Sequence, residues 1–139
     1  YSGKPTVYLF FLGHGCLHCT EQLQKFAAKS AELEKLGVNV VGISTDDVSK
    51  LQTALKNYEP QTYPFPLVSD GSLAAFKAWR CFDDFEQKPL HGTYFVDGLG
   101  RLRWWDTGAE PFMDVDFLLQ ELPRLMQFTP TLTTTAAKN

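Results

Sequence analysis

Apolar and polar positions alternate along the chain in a way that predicts strands and helices in turn. Continuous apolar runs at residues 6–12 and 38–43 are short and rich in β-branched and aromatic side chains, as in strands buried on both faces of a sheet. From Cys16 onward, apolar or small residues recur every three or four positions as far as Leu36, which is the spacing of one helix face. Gly37 follows as a natural C-cap, so the chain is predicted to begin strand, helix, strand.

The middle of the chain predicts two more helices and one short strand. Residues 44–47 offer capping side chains for a helix through Leu51, Leu55 and Tyr58, after which three prolines mark an extended connection. A short strand at Leu67–Val68 follows, and a helix that passes through Leu73, Phe76 and Trp79 starts after Asp70.

The last part of the chain predicts a hairpin and a final helix. Two predicted strands, 93–96 and 101–105, enclose an Asp-Gly turn, and residues 112–128 have the spacing of an amphipathic helix. The whole order predicts an α/β fold whose mixed central sheet carries helices on both faces. We expect one domain over residues 1–128 and a disordered tail over residues 129–139.

The composition of the chain says more about its function than about its fold. The chain has 139 residues with 44% hydrophobic and 21% charged residues, which is ordinary for one folded domain. The net charge is −3 and the basic residues are spread out, so nucleic acid is not an expected partner. We expect no membrane span in this segment, and the compartment stays open between cytoplasm and periplasm. A first strand this close to residue 1 is compatible with a piece of a longer chain.

Two of the three cysteines form the most informative motif. Cys16 and Cys19 stand three positions apart at the predicted start of a helix, where unpaired backbone N–H groups and the helix dipole lower the pKa of a thiol. Both face the same side of the helix, so their sulfurs can form a small disulfide loop. Cys81 is alone and is predicted to be a buried structural residue, with a resolving role as the alternative.

The residues around this pair bear on its chemistry. His18 lies between the cysteines, and its protonated ring would stabilise a neighbouring thiolate, so we expect a fairly oxidising or neutral redox poise. His14, His18 and His91 could join the cysteines in a metal site, but no second cysteine pair completes a zinc site. Thr20 stands where haem attachment needs a histidine. Thiol–disulfide chemistry without a resident cofactor is therefore the leading prediction.

Four segments together resemble the peroxiredoxin-like branch of the thioredoxin superfamily, which includes alkyl hydroperoxide reductase and thiol-specific antioxidant. They are Val7–Cys19, Gly37–Asp46, Phe65–Asp70 and Thr93–Arg101, in the order that the family has them. The resemblance implies a thioredoxin-like fold and a thiol that acts on a protein disulfide or a small hydroperoxide, with a second thiol as electron donor.

This chain departs from the pattern of that family at three positions. The family's reactive cysteine aligns with Cys19, whereas Leu12 and Cys16 stand where the family has a proline and a hydroxyl residue. His91 stands where the family has an arginine that holds the peroxide and the thiolate. Two orders of reaction follow: either Cys16 attacks a disulfide and Cys19 resolves it, or Cys19 reacts with peroxide and Cys16 resolves the product.

Two hypotheses from other classes remain beside the redox one. Cys16, Cys19 and His91 could deliver copper or another metal, since thiolate and imidazole ligands suit such ions. A docking domain without redox activity is the third hypothesis. The predicted site residues are thus Cys16, Cys19, His18 and His91.

Overall fold

The computed structural model describes residues 3–13, 17–50, 52 and 63–138, and describes the side chains within these ranges apart from Leu17 and residues 127–138. The predicted strands and helices that fall within these residues follow one another in the predicted order. The strands are β1 (Thr6–Phe11), β2 (Asn39–Ser44), β3 (Leu67–Ser69), β4 (Phe82–Asp83), β5 (Lys88–Pro89), β6 (His91–Val96) and β7 (Leu102–Gly108). The helices are α1 (Leu17–Ala28), α2 (Ser30–Lys35), α3 (Ala74–Ala78) and α4 (Val115–Lys138).

Five strands form one mixed sheet in the order β3-β2-β1-β6-β7. The first three strands of the chain run parallel to one another, and β6 is antiparallel to both β1 and β7. The predicted mixed α/β sheet is therefore confirmed. Strands β4 and β5 pair separately as a small antiparallel hairpin that the sequence analysis did not predict.

The first predicted helix is divided into α1 and α2. At Lys29 the backbone leaves the helical conformation, with φ of −106° and ψ of 13°. Its N–H donates to the Phe26 carbonyl at 3.1 Å, three residues back, which tightens the last turn of α1. Gly37 follows α2 with φ of +74°, and its N–H donates to Glu34 at 2.9 Å, so the predicted cap is confirmed.

Other helix boundaries differ from the prediction by a few residues. The helix predicted after Asp70 is the short α3, and the Asp70 carboxylate accepts hydrogen bonds from Ala75 N–H at 2.9 Å and Phe76 N–H at 3.1 Å. Helix α4 begins at Val115 and extends to Lys138, across most of residues 129–139. The domain boundary at residue 128 and the disorder of the tail stay predictions. Residues 48–50 are helical as predicted, whereas Leu51, Leu55 and Tyr58 lie outside the described residues.

The sheet separates two apolar cores. Successive side chains of a strand point to opposite faces, so Val7 and Leu9 of β1 pack on one face while Phe10 packs on the other. Helices α1, α2 and α4 cover the first core, which contains Cys19, and α3 covers the second, which contains Cys81. Among the described residues, no helix has the length and apolar character needed to cross a membrane.

Gly92 in β6 lies against this second core so closely that no side chain fits. A Cβ atom at Gly92 would stand 2.6 Å from both the Cys81 sulfur and the Tyr94 ring. We expect Gly92→Ala to lower the free energy of unfolding by about 1–3 kcal/mol, because buried aromatic and sulfur atoms must shift. Urea unfolding measures this change. Gly108→Ala in the paired strand is the control, since nothing lies within 4 Å of its Cβ, and an equal loss there would contradict the explanation.

Candidate active site

Strand pairing brings three chain segments to one edge of the sheet. Phe10 near the end of β1 pairs with Gly92, so His91 at the start of β6 lies beside the point where β1 ends. His91 also pairs with Gly108, the last residue of β7. The start of α1, the start of β6 and the residues that follow β7 therefore meet here. Two of the predicted site residues, Cys19 and His91, meet at this edge.

Cys19 lies in the first turn of α1 and is buried, with 1% of its surface exposed. Its sulfur accepts a hydrogen bond from the Leu12 N–H at 3.3 Å and lies 3.6 Å from Nδ1 of His91. Cys19 is disulfide-bonded in this structure. Two polar groups thus hold this sulfur inside an otherwise apolar core, one from the backbone and one from a side chain.

His91 is as deeply placed as the sulfur it contacts, with 5% of its surface exposed. Burial lowers the pKa of His91 below its ordinary value, and the positive field of His18 acts in the same direction. The carboxylate of Glu110 raises this pKa, and its effect is smaller than that of burial but larger than that of His18. The ring is therefore neutral at neutral pH, unlike the permanently charged arginine that the resembled family has at this position.

The loop that donates to the Cys19 sulfur is fixed from the neighbouring strand. Thr45, just after β2, donates its hydroxyl to the Leu12 carbonyl at 2.7 Å. Gly13 has φ of +91°, and the Asp46 carboxyl group occupies the space where a side chain of residue 13 would begin. These contacts hold the Leu12 N–H in the direction of Cys19.

Of the other predicted site residues, the structure describes only His18. His18 is exposed and forms an ion pair with Glu110 when protonated, with 3.9 Å between Nδ1 and Oε2. His18 therefore lies at the rim of the site, whereas His91 contacts the Cys19 sulfur. Cys16 and His14 lie outside the described residues, so their predicted roles stay predictions.

Gln22 is a buried polar residue of the site that the sequence analysis missed. It is 1% exposed, and its Nε2 donates to the Thr93 hydroxyl and the Phe112 carbonyl, both at 3.0 Å. Its Oε1 is buried without a hydrogen-bond partner, which costs about 1–3 kcal/mol. The available signal was its position, three residues after Cys19 and next to Leu23 within the apolar stripe of α1.

Cys81 lies in the core on the other face of the sheet and is fully buried. Its thiol donates to the Leu90 carbonyl at 3.1 Å, and burial raises its pKa to about 11. A thiol that stays protonated and is separated from Cys19 by the sheet is poorly placed to resolve an intermediate there. These observations favour the structural role predicted for Cys81.

Metal binding finds no support in the part of the chain that the structure describes. Within those residues, no three His, Cys, Asp or Glu side chains come together as a group that could hold a metal ion. The contact between Cys19 and His91 supplies two such side chains.

Sequence comparison defines the class of protein. The AhpC/TSA family profile matches residues 1–105, and the chain belongs to this family. It is 32% identical over 127 residues to the chloroplastic peroxiredoxin Q of Populus jackii, covering 90% of this chain and 58% of that protein. Against the peroxiredoxin Q of Triticum aestivum it is 31% identical over 105 residues, or 75% of this chain and 47% of the relative. The chain thus spans about half the length of these curated relatives.

Solved structures show the same thioredoxin-like fold. Peroxiredoxin Q of Xanthomonas campestris superposes with a TM-score of 0.75 at 22% identity, covering 88% of this chain and 80% of that one. AhpC of Enterococcus faecalis superposes with a TM-score of 0.82 at 16% identity, covering 94% and 78%. The predicted fold class is confirmed.

The burial of His91 predicts how the free energy of unfolding depends on pH. Because its pKa in the folded protein lies below 6.5, the unfolded chain binds this proton more readily as the pH falls. The free energy of unfolding should therefore decrease between about pH 7 and pH 5, and His91→Asn should make that decrease smaller. Urea unfolding at several pH values measures it. The exposed His18→Asn serves for comparison, and an equal or larger effect there would contradict the assignment to His91.

Proposed function

We propose that this protein is a thiol-dependent peroxidase in which Cys19 is the residue that peroxide oxidises. The observation that carries the proposal is the contact of the buried Cys19 sulfur with His91 Nδ1 at 3.6 Å, together with the hydrogen bond from the Leu12 N–H at 3.3 Å. Membership of the AhpC/TSA family supports the same chemistry. The peroxiredoxin Q relatives support it as well.

In the first step, the Cys19 thiolate attacks the terminal oxygen of a hydroperoxide. An S–O bond forms and the O–O bond breaks, so the sulfur becomes a sulfenic acid. The leaving alkoxide, or hydroxide where the oxidant is hydrogen peroxide, takes a proton from solvent to become an alcohol or water. The Leu12 N–H stabilises the thiolate by a hydrogen bond at the sulfur.

In the second step, the thiol of Cys16 attacks the sulfenic sulfur of Cys19. An S–S bond forms and water leaves, after which an external thiol reductant returns both cysteines to the reduced state. Spacing supports Cys16 as this partner, because residues three apart on a helix face the same side. The disulfide-bonded state of Cys19 fits such a cycle.

Burial favours a small oxidant over a protein disulfide at Cys19. With 1% of its surface exposed, the residue offers no room for the sulfur of a second protein, whereas a peroxide is only a few atoms long. The other order of reaction, in which Cys16 attacks a protein disulfide, makes Cys19 only the resolving thiol. The two orders differ in which single cysteine is sufficient for the first oxidation step.

His91 has a specific role in this proposal. A neutral imidazole that bears its proton on Nδ1 donates a hydrogen bond to the thiolate, and to an incoming peroxide oxygen once the sulfur reacts. His18 is proposed as a weaker contributor from the rim of the site, where it adjusts the field together with Glu110.

Substitution of the cysteines tests the order of events. Cys19→Ser should abolish both peroxide consumption and sulfenic acid formation, because it removes the attacked sulfur. Cys16→Ser should still form one sulfenic acid per chain. It should lose turnover with a thiol reductant that acts only on the disulfide between Cys16 and Cys19. Sulfenic acid is measured by a dimedone adduct in mass spectrometry. Cys81→Ala is the control and should retain turnover, and adduct formation on Cys16 in the Cys19→Ser protein would overturn the proposed order.

Substitution of His91 tests the group that holds the thiolate. We expect His91→Ala to slow oxidation of Cys19 by about 10²-fold, the usual effect of removing one preorganised donor. His91→Arg, which restores the family residue, should react faster than His91→Ala. Single-turnover oxidation by hydrogen peroxide, followed by loss of free thiol, gives these rates. Equal rates for His91→Ala and the parent protein would exclude a role for the ring.

A further inference from the structure

The side-chain amide of Gln22 has only one orientation that fits its surroundings. Nε2 contacts the Phe112 carbonyl at 3.0 Å, and a carbonyl can only accept, so the nitrogen must be on that side. The second N–H then donates to Thr93 Oγ1, also at 3.0 Å. Both amide hydrogens are used, and Oε1 stays buried without a donor.

An arrangement of this kind is a poor way to stabilise a core. A buried acceptor that loses its water without gaining a donor opposes folding, whereas apolar residues of the same size in both positions can be neutral or favourable. The polar link between Gln22 and Thr93 is therefore better explained by what it holds in place.

The link joins the two elements that carry the reactive pair. Gln22 lies three residues after Cys19 on the same side of α1, and Thr93 lies two residues after His91 on the same face of β6. The hydrogen bond from Gln22 to the Phe112 carbonyl connects the segment that follows β7 to the same amide. One amide thus holds α1 against β6, three residues after Cys19 on the helix and two residues after His91 on the strand.

We propose that Gln22 is a positioning residue which, through Thr93, sets the distance between the Cys19 sulfur and the His91 ring. This inference rests on the proposed function in taking that pair as the reactive one. Gln22 does not touch the reacting atoms. Its effect reaches them through the register of α1 on β6, so its loss should lengthen the contact with His91 and make the thiol less reactive.

The test compares thiol reactivity with stability in the same variants. Gln22→Met and Thr93→Val each remove the link while keeping a side chain of similar size, and Thr93→Ser keeps the hydroxyl. All variants are made in a Cys16→Ser background and reduced before use, so that alkylation of Cys19 by iodoacetamide is read by peptide mass mapping. Thermal unfolding is measured alongside. Gln120→Met on the exposed side of α4 is the matched control.

We expect Gln22→Met to slow alkylation of Cys19 at neutral pH by about five- to tenfold, the effect of one hydrogen bond on a reactive group. The double variant should be about as slow as Gln22→Met alone, because both changes remove the same link. Thr93→Ser and Gln120→Met should react like the parent, and the unfolding temperature of the double variant should be equal to the parent's or higher.

Two results would overturn the inference: unchanged alkylation rates, or slower rates accompanied by a matching fall in the unfolding temperature of every slow variant. Failure of the peroxidase proposal is distinguishable from either. A parent protein that consumes no hydroperoxide, but whose Cys19 reactivity depends on Gln22 and Thr93 as expected, would refute the proposed function and leave the positioning role intact.

Discussion

The antiparallel pairing of β1 with β6, at the point where the chain leaves β1 for α1, is the constraint on which the site depends. The register that sets Phe10 opposite Gly92 places His91 beside Phe11, the last residue of β1. The first turn of α1 brings Cys19 back over the same edge, and the two side chains meet. Gly92 permits this register because a side chain there would collide with the second core. Packing on one face of the sheet therefore determines the geometry on the other.

A buried neutral ring beside the sulfur changes how a thiolate can be stabilised in this fold. An arginine acts through a fixed positive charge that is felt over several ångströms, whereas a neutral imidazole acts mainly through a directed hydrogen bond. Low dielectric surroundings strengthen such a bond but make it more sensitive to distance. On the proposed chemistry, this chain therefore relies on accurate placement of His91 rather than on a fixed positive charge.

The elements with a strong local signal could be predicted from sequence. The apolar runs of β1 and β2 and the Asp-Gly turn between β6 and β7 specify their structure locally. The break at Lys29 could not be predicted, because helical spacing continues on both sides of it. Likewise β4 and β5 are each two residues long, too short for any periodicity.

The site was predictable to a similar extent. Cys19 follows from its spacing to another cysteine, but His91 is 72 residues away and is recognisable only through the resemblance to a family. Gln22 gave no signal beyond its position in the apolar stripe of α1, since a glutamine on a helix is usually solvated. Its importance comes from tertiary contacts with Thr93 and Phe112, which sequence periodicity does not contain.

The two faces of the sheet also separate two kinds of cysteine chemistry. Cys81 is held as a protonated thiol by burial, and its sulfur lies among aromatic side chains on the face away from Cys19. A sulfenic acid on Cys19 therefore cannot be resolved by Cys81 while the sheet is intact. On the proposed chemistry, that leaves Cys16 or an external thiol. Cys16 stands only three residues before Cys19 in the sequence, so on this proposal resolution needs no distant segment to move.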